Sequence, residues 1–313
     1  MGIDATNRVF NVKDFGAVAD GITDDSKAFD TAWREACNWD GIKGTVLVPP
    51  GKYLVSFAEF EGPCKASISF QLRRLLDLFS IDTSLSLAKG TFHGQGETAW
   101  PLNQCHKNSD CQLPTPIRFN FLNDSTITGI KSVDSKYFHI NILGCYNLKI
   151  NDLKITAHAD SPNTEGIHIG RSNGMEISHS VIATGDDCVS LGQGSKDILV
   201  SEVFCGPGQG ISVGSLGKGI KDEEVVGLTV RNCTFTCTSN GVPSQVKTSN
   251  VRFNNIRGTS ANKPKDSMPN IEIGNRNLVY NGANVKVEGP ETTSLCSNVK
   301  PTLFGKQIPA TCV

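Results

Sequence analysis

The stretch SPNTEGIHIGRSNGMEISHSVIATGDDCVSLGQGSKDILVSEVFCGPGQGISVG, residues 161–214, repeats one short alternating strand three times. The copies are GIHIG at 166–170, CVSLG at 188–192 and GISVG at 210–214, so the interval from each copy to the next is the same. A constant interval of this size is typical of a solenoid in which every coil adds one strand to a parallel sheet. A β-sandwich with chance Ile/Val alternation has no reason to keep such a count.

Seven longer segments with alternating apolar positions extend this pattern along the chain. Their starts follow a loose period in the low twenties, which suits coils built from a few short strands, and the shortest interval separates Gly227 from Gln245. The sequence therefore predicts an all-β fold, a parallel β-helix, with residues 1–313 as a single domain. The segments start at Ser125, Asn147, Gly174, Asp197, Gly227, Gln245 and Asn270.

The N-terminal region contains the one amphipathic helix that the sequence predicts, from Asp24 to Trp39. A solenoid end exposes unpaired strand edges, so we expect residues of about 10–45, this helix included, to form a short N-terminal cap. The apolar residues follow the three-and-four spacing of a helix face and are Ala28, Phe29, Ala32, Trp33 and Ala36.

Composition limits the classes of partner. The chain has 30 basic and 31 acidic residues and a net charge of −1, so it has no overall attraction to nucleic acid or to an anionic membrane. It contains no apolar run of about 18 residues that could span a bilayer. We expect a monomer that binds neither nucleic acid nor membrane.

The cysteine content and the N-terminal sequence suggest different cellular compartments. Eleven cysteines suit an oxidising compartment, yet the opening MGIDATNRVFNVKDFG has no basic and apolar leader pattern. Two explanations stay open at this point: a truncated N-terminus, or a protein retained in the cytoplasm with reduced thiols.

The three short strands also predict a cluster of carboxylates. Residues at equal offsets in adjacent coils become neighbours at a spacing of about 4.8 Å. Two residues before Ile167, Val189 and Ile211, that offset holds Glu165, Asp187 and Gln209, with Asp186 beside Asp187. Neighbouring carboxylates raise one another's pKa, which can supply both the acid and the base of glycoside hydrolysis. A solvated acidic turn and an oxygen-ligand site for Ca²⁺ are the alternatives.

Five stretches carry a family resemblance, and they are VFNVKDFGAVADGITDDSKAF (9–29), SPNTEGIHIGRS (161–172), TGDDCVSLGQGS (184–195), CGPGQGISVGSLGK (205–218) and QVKTSNVRFNNIRGTSA (245–261). They resemble the plant polygalacturonases, which are pectin-cleaving glycoside hydrolases, and the pollen-type members are the most similar. The resemblance implies a right-handed, pectin lyase-like β-helix, inverting hydrolysis of α-1,4-galacturonan without a cofactor or metal, and a location in the extracellular space or cell wall.

Four short motifs describe the site in that family: Asn-Thr-Asp, Gly-Asp-Asp, Gly-His-Gly and Arg-Ile-Lys. Here only the second is intact, since Glu165 replaces the acid of the first and Gln209 replaces the histidine of the third. The fourth is absent, because Asn-Gly-Val at 240–242 is followed directly by Pro243. We interpret this junction, near 242–243, as the place of a missing coil that would carry cations for the substrate's carboxylates.

By resemblance, Asp186 is the general acid, while Asp187 and Glu165 activate water, and Cys188 forms a disulfide with Cys205. Proximity in sequence suggests further disulfides between Cys105 and Cys111 and between Cys296 and Cys312. The leading hypothesis is a polygalacturonase with impaired activity, because glutamine cannot titrate or carry charge as histidine does. A pectin-binding protein without turnover is the alternative, and a pectate lyase is a third.

Overall fold

Parallel strands that recur in every coil build the chain into a β-helix. The computed structural model describes residues 7–55, 58–72, 90–102, 115–213, 223–238, 248–260, 273–274, 281–288, 296–297 and 302–308. None of the helices in these ranges is both long enough and apolar enough to cross a membrane.

The larger sheet has sixteen strands and wraps two sides of the β-helix, because several of its strands continue around a corner. Its main path runs through β1 (Asn7–Asn11), β3 (Lys43–Val48), β6 (Ser67–Leu72), β9 (Asn123–Thr128), β12 (Tyr146–Asn151), β15 (Asn173–Ala183), β17 (Lys196–Cys205), β19 (Val225–Arg231), β22 (Arg252–Ser260), β24 (Asn281–Glu288) and β26 (Thr302–Ile308). The other members are β7 (Gly90–His93), β10 (Ile130–Val133), β13 (Lys154–Thr156), β20 (Thr234–Thr238) and β21 (Thr248–Ser249).

A six-stranded parallel sheet, here called the site sheet, forms the remaining side. Its order is β18 (Gly210–Val213), β16 (Asp187–Leu191), β14 (Ile167–Gly170), β11 (Ile140–Leu143), β8 (Ile117–Asn120) and β5 (Ala58–Glu61). Ile167 pairs with Val189, and Val189 pairs with Ile211, so the constant interval predicted for these coils is confirmed. Two small sheets pair β2 (Asp20–Asp24) with β4 (Lys52–Leu54) and β23 (Ile273–Gly274) with β25 (Cys296–Ser297).

Left-handed residues turn the chain at the same corner of each coil. Glycine, asparagine and aspartate occupy this corner because they adopt positive φ at the lowest cost. The side chains also join neighbouring coils, as where Asn147 Nδ2 donates to Asp124 Oδ1 at 2.6 Å. The corner residues are Asp124, Asn147, Gly174, Asp197, Gly227 and Asn250, with φ between 46° and 81°.

Two of the seven predicted segments have the wrong register. Thr229 pairs with Arg252, so the coil after β19 is as long as the one from Glu176 to Leu199 and is not shortened as the Gln245 segment suggested. The next strand on the main path is β24, and the Asn270 segment does not supply it. Apolar alternation alone cannot distinguish the several strands of one coil, whereas the corner at Asn250 fixes the register.

The interior is filled by rows of stacked aliphatic side chains. Ile140, Ile167 and Val189 are completely buried and lie one above another on adjacent strands. Burial of each such side chain contributes about 1.5–3 kcal/mol relative to exposure. At the N-terminal end the core becomes aromatic, and the ring centroids of Phe60 and Phe119 are 5.2 Å apart.

The predicted capping helix is confirmed as α1 (Ser26–Asn38), with all five predicted apolar residues buried. It packs against β1 and β3, the first strands of the large sheet. A disulfide between Cys37 and Cys64, which the sequence did not predict, ties it to the chain before β6. The remaining helices of the described residues are a 3₁₀ helix at Val12–Phe15, α2 (Gly96–Ala99) and a 3₁₀ helix at Trp100–Leu102.

Candidate active site

The predicted carboxylates lie together at one edge of the site sheet. Glu165 comes two residues before β14, and Asp186 and Asp187 stand at the start of β16. The N–H group of Gly166 donates to the carbonyl oxygen of Asp187 at 2.8 Å, which holds the two coils in register at this point. We call Glu165, Asp186 and Asp187 the carboxylate trio.

The loop that carries Asp186 and Asp187 is fixed by hydrogen bonds to the preceding coil. Gly185 N–H lies 3.1 Å from Ser161 Oγ and 3.2 Å from Thr164 Oγ1. A Cβ atom at Gly185 would lie 2.1 Å from the carbonyl oxygen of Ser161, so the close approach of the two loops requires glycine here. In the motif Gly-Asp-Asp, the glycine is therefore required by the packing of the loops, and the two aspartates supply the carboxylates.

Asp186 and Asp187 have different hydrogen-bond partners. Asp187 N–H donates to Asp186 Oδ1 at 2.8 Å, and Ser212 Oγ donates to Asp187 Oδ2. Burial raises the pKa of Asp186, although backbone N–H groups of Asp187 and Asn163 oppose the rise. Burial raises the pKa of Asp187 to about 7, with the Asp186 charge adding to the rise and Ser212 opposing it.

The surroundings of Glu165 oppose its ionisation. Its Oε2 atom is buried and has no hydrogen-bond partner. Burial, followed by the negative charges of Asp186 and Asp187, raises the pKa of Glu165 to about 8. Burial therefore opposes ionisation at all three members of the trio, and the charges of neighbouring members add to this effect at Glu165 and Asp187.

Gln209 does not occupy the predicted position. The register shifts between Asp187 and Val189, so that Gly210 pairs with Asp187 and Gln209 falls one residue short. The Gln209 side chain is exposed, while its N–H group donates to the carbonyl oxygen of Asp186 at 2.9 Å. Counting back from Ile211 missed this irregularity, because a bulge leaves no mark in apolar alternation.

Sequence reasoning missed two neighbours of the trio, Ser212 and Tyr137. Ser212 lies on the outward row of the site sheet, in register with Ser190 and His168, so following that row would have found it. Burial, and then the charges of Glu165 and Asp186, raise the pKa of Tyr137, which places its phenol near the trio. Tyr137 lies in an irregular loop before β11, and no sequence signal marks it.

A disulfide between Cys188 and Cys205 joins the strand of the trio to β17, as predicted. The other two predicted pairs include Cys105, Cys111 and Cys312, which lie outside the described residues. Within the described part of the chain, no group of three or more His, Cys, Asp or Glu side chains is arranged to hold a metal ion.

Comparison with known proteins identifies the class to which this fold and site belong. Residues 37–243 match the family model described as Glycosyl hydrolases family 28, and residues 9–62 match one described as Rhamnogalacturonase A/epimerase, pectate lyase-like. The chain belongs to glycosyl hydrolases family 28.

Two plant relatives and one solved structure are similar to this chain over nearly its whole length. An exopolygalacturonase of Platanus acerifolia is 38% identical over 380 aligned positions, covering 99% of both chains. A polygalacturonase of Gossypium hirsutum is 38% identical over 371 positions, covering 96% of this chain and 89% of the relative. The polygalacturonase of Erwinia carotovora ssp. carotovora superposes with a TM-score of 0.62 at 17% identity, over 96% of this chain and 98% of that one. The fold is thus the right-handed parallel β-helix of this family.

Proposed function

We propose that this protein hydrolyses α-1,4-galacturonosyl bonds of pectin with inversion, and that its turnover is slow. Family membership supports the reaction, and the carboxylate trio supports its location. The observation that carries the slow turnover is the burial of Asp187 and Glu165, which opposes the ionised form that their roles require.

The proposed roles follow the needs of inverting hydrolysis. One carboxylic acid must protonate the leaving oxygen, while a carboxylate on the other side of the bond takes a proton from the attacking water. We assign Asp186 as the acid, with Asp187 and Glu165 as the groups that position and deprotonate water. Gln209 contributes its backbone N–H group to the loop of Asp186, and its exposed side chain has no titrating role.

The raised pKa values of the two proposed bases oppose these roles. Asp186 must hold a proton while Asp187 and Glu165 are ionised, yet the pKa values of the latter two rise to about 7 and about 8. A base that holds a proton cannot deprotonate water, so protonation of Asp187 and Glu165 lowers the rate. A cation beside Glu165 or Asp187 would favour their ionised forms, and the predicted missing coil is where the family carries its cations.

We also propose that the chain is a single, extracellular domain that acts as a monomer and lacks one coil near 242–243. The alignments with relatives extend over as many as 380 positions while the chain has 313 residues, so the relatives have segments that this chain lacks. That excess is larger than one coil, so it supports a loss of sequence relative to these proteins without giving its position. The disulfides Cys37–Cys64 and Cys188–Cys205 support an oxidising compartment.

The deciding experiment measures reducing ends released from polygalacturonate by the purified protein. We expect slow release, abolished by Asp186→Asn and little changed by Gln209→His, because residue 209 points to solvent. Release at the rate of a relative with four intact motifs would contradict the proposed impairment.

The alternative, pectin binding without cleavage, is favoured by the altered first and third motifs. Retention of the protein on immobilised polygalacturonate with no release of reducing ends would identify it. An unsaturated product whose formation requires added Ca²⁺ would instead identify a lyase.

A further inference from the structure

A cavity lies at the same edge of the site sheet as the carboxylate trio, but towards the N-terminal coils. It encloses about 210 Å³, less than the roughly 300–1,000 Å³ of pockets for drug-sized ligands, and thus suits one sugar unit. Its walls include Tyr53, Phe92, His93, Gln95, Pro116 and Lys136.

The strand order of the site sheet fixes the position of this cavity relative to the trio. Pro116 precedes β8 and Lys136 precedes β11, whereas Glu165 precedes β14. From β8 to β14 there are two rungs, or about 10 Å at the usual spacing between strands. A polymer that lies along this edge therefore passes both places.

One short loop contributes to both the cavity and the trio. Lys136 lines the cavity, while the next residue, Tyr137, has its phenol within the electrostatic influence of Glu165 and Asp186. The rings of Tyr137 and Phe138 stack with centroids 4.0 Å apart, and the Phe138 ring lies 4.9 Å from that of His168 on the site sheet. These ring contacts connect the loop that carries Lys136 to the site sheet.

The cavity wall is held in place by hydrogen bonds between coils. Gly94 N–H donates to the carbonyl oxygen of Val133 at 2.8 Å, and Gly96 N–H donates to that of Asp134 at 2.7 Å. Gln95 N–H donates to His93 Nδ1 at 3.1 Å, so Nε2 carries the proton of a neutral ring and faces Asp134 Oδ2 at 3.6 Å. The site is therefore preformed.

Lys136 is the cation of this cavity. It is half-buried, and none of the ion pairs formed between described residues involves it. The nearby Asp134 carboxylate is directed at His93. The trio by itself repels a polyanion, so an acidic polymer bound along this edge requires a positive charge elsewhere on its path.

We propose that the cavity is a second sugar subsite, in which Lys136 binds the carboxylate of a galacturonate unit belonging to the same chain that lies against the trio. This inference rests on the proposed function, since it needs a galacturonan as the ligand. It assigns to Lys136 a part of the charge compensation that the absent Arg-Ile-Lys motif would supply.

Binding measured by isothermal titration calorimetry tests the subsite independently of turnover. We expect Lys136→Gln to weaken the binding of trigalacturonate about fivefold, the size of an ion pair of roughly 1 kcal/mol. The matched control is Lys154→Gln, which removes the same charge from an exposed position on β13 and should change binding less than twofold. With the fully methyl-esterified trisaccharide, wild type and Lys136→Gln should bind alike.

Equal affinities of wild type and Lys136→Gln for the free acid would overturn the subsite and leave the proposed hydrolysis standing. A loss that is the same for the ester would also overturn it, because the effect would then not depend on charge. If the wild-type protein neither binds trigalacturonate nor releases reducing ends, the proposed function fails and the subsite fails with it.

Discussion

Ser212 on β18 donates a hydrogen bond to the carboxylate of Asp187 at the start of β16, and so joins the outward row of the site sheet to the trio. The bond favours the ionised form of Asp187 and opposes the effect of burial on its pKa. Ser212 is therefore a positioning residue for the proposed base.

Replacing Ser212 with alanine should raise the pKa of Asp187 further, because the ionised form loses its donor. A base must be ionised to act, so the acidic limb of the pH–rate profile should move upwards by about one pH unit. Reducing-end release measured across the pH range checks this. The matched control, Ser190→Ala, removes the hydroxyl that faces His168 Nδ1 at 2.8 Å and should leave that limb in place. An unshifted profile for Ser212→Ala would mean that Asp187 does not titrate in the rate-limiting step.

Glu165 should make the protein less stable as the pH rises. Its pKa is raised from 4.5 to about 8 in the folded state, so between these values the folded protein holds more protons than the unfolded chain. The free energy of unfolding then falls with increasing pH, at up to about 1.4 kcal/mol for each unit in this window. Below the lower value both states are protonated and the contribution is constant.

Glu165→Gln removes this loss. The free energy of unfolding of the variant should therefore increase relative to that of wild type, by a few kcal/mol as the pH rises from about 5 to about 8. Urea unfolding at the two pH values measures the difference. The control is Glu176→Gln, which removes a charge from an exposed ion pair with Lys149 and should change the free energy of unfolding by less than about 1 kcal/mol. Parallel curves for wild type and Glu165→Gln would show that Glu165 titrates normally.

The fold and the trio could be predicted from the sequence because a β-helix converts intervals along the chain into contacts. Ile167 and Val189 lie side by side in the structure as the repeat interval requires, and this alone brings Glu165 next to Asp187. The capping helix was equally predictable, since its five apolar residues form one face.

The remaining features of the site do not repeat along the chain, so a repeat interval cannot predict them. The bulge after Asp187 displaces Gln209, and an irregular loop brings Tyr137 to the trio. The pairing of Cys37 with Cys64 depends on how the helix packs against β1, which no spacing encodes. The raised pKa values of Asp187 and Glu165 were also not predictable, because they depend on how deeply each carboxylate is buried.

Gly208→Ala should destabilise the protein and displace the proposed acid. Gly208 has a φ of +148°, and a Cβ atom there would lie 2.6 Å from the carbonyl oxygen of Asp186. The expected cost is about 1–3 kcal/mol in the free energy of unfolding, with loss of activity because the Asp186 loop must move. Gly170→Ala is the control, since its Cβ would make an ordinary 3.6 Å contact with Leu143. Similar free energies of unfolding for the two variants would indicate that the Asp186 loop moves aside at little energetic cost.

The two disulfides should have separable effects. Each closes a loop, with a sequence separation of 17 for Cys188–Cys205 and 27 for Cys37–Cys64, so replacing either pair with serine should cost about 2–4 kcal/mol. Only the first adjoins Asp187, so Cys188→Ser/Cys205→Ser should also reduce reducing-end release at temperatures where the variant remains folded. Cys37→Ser/Cys64→Ser should keep the wild-type rate under the same conditions, because α1 lies at the N-terminal end of the β-helix. Activity and thermal unfolding are measured together for both double variants. Equal losses of activity would mean that the trio depends on the overall stability of the protein and not on the disulfide at its own strand.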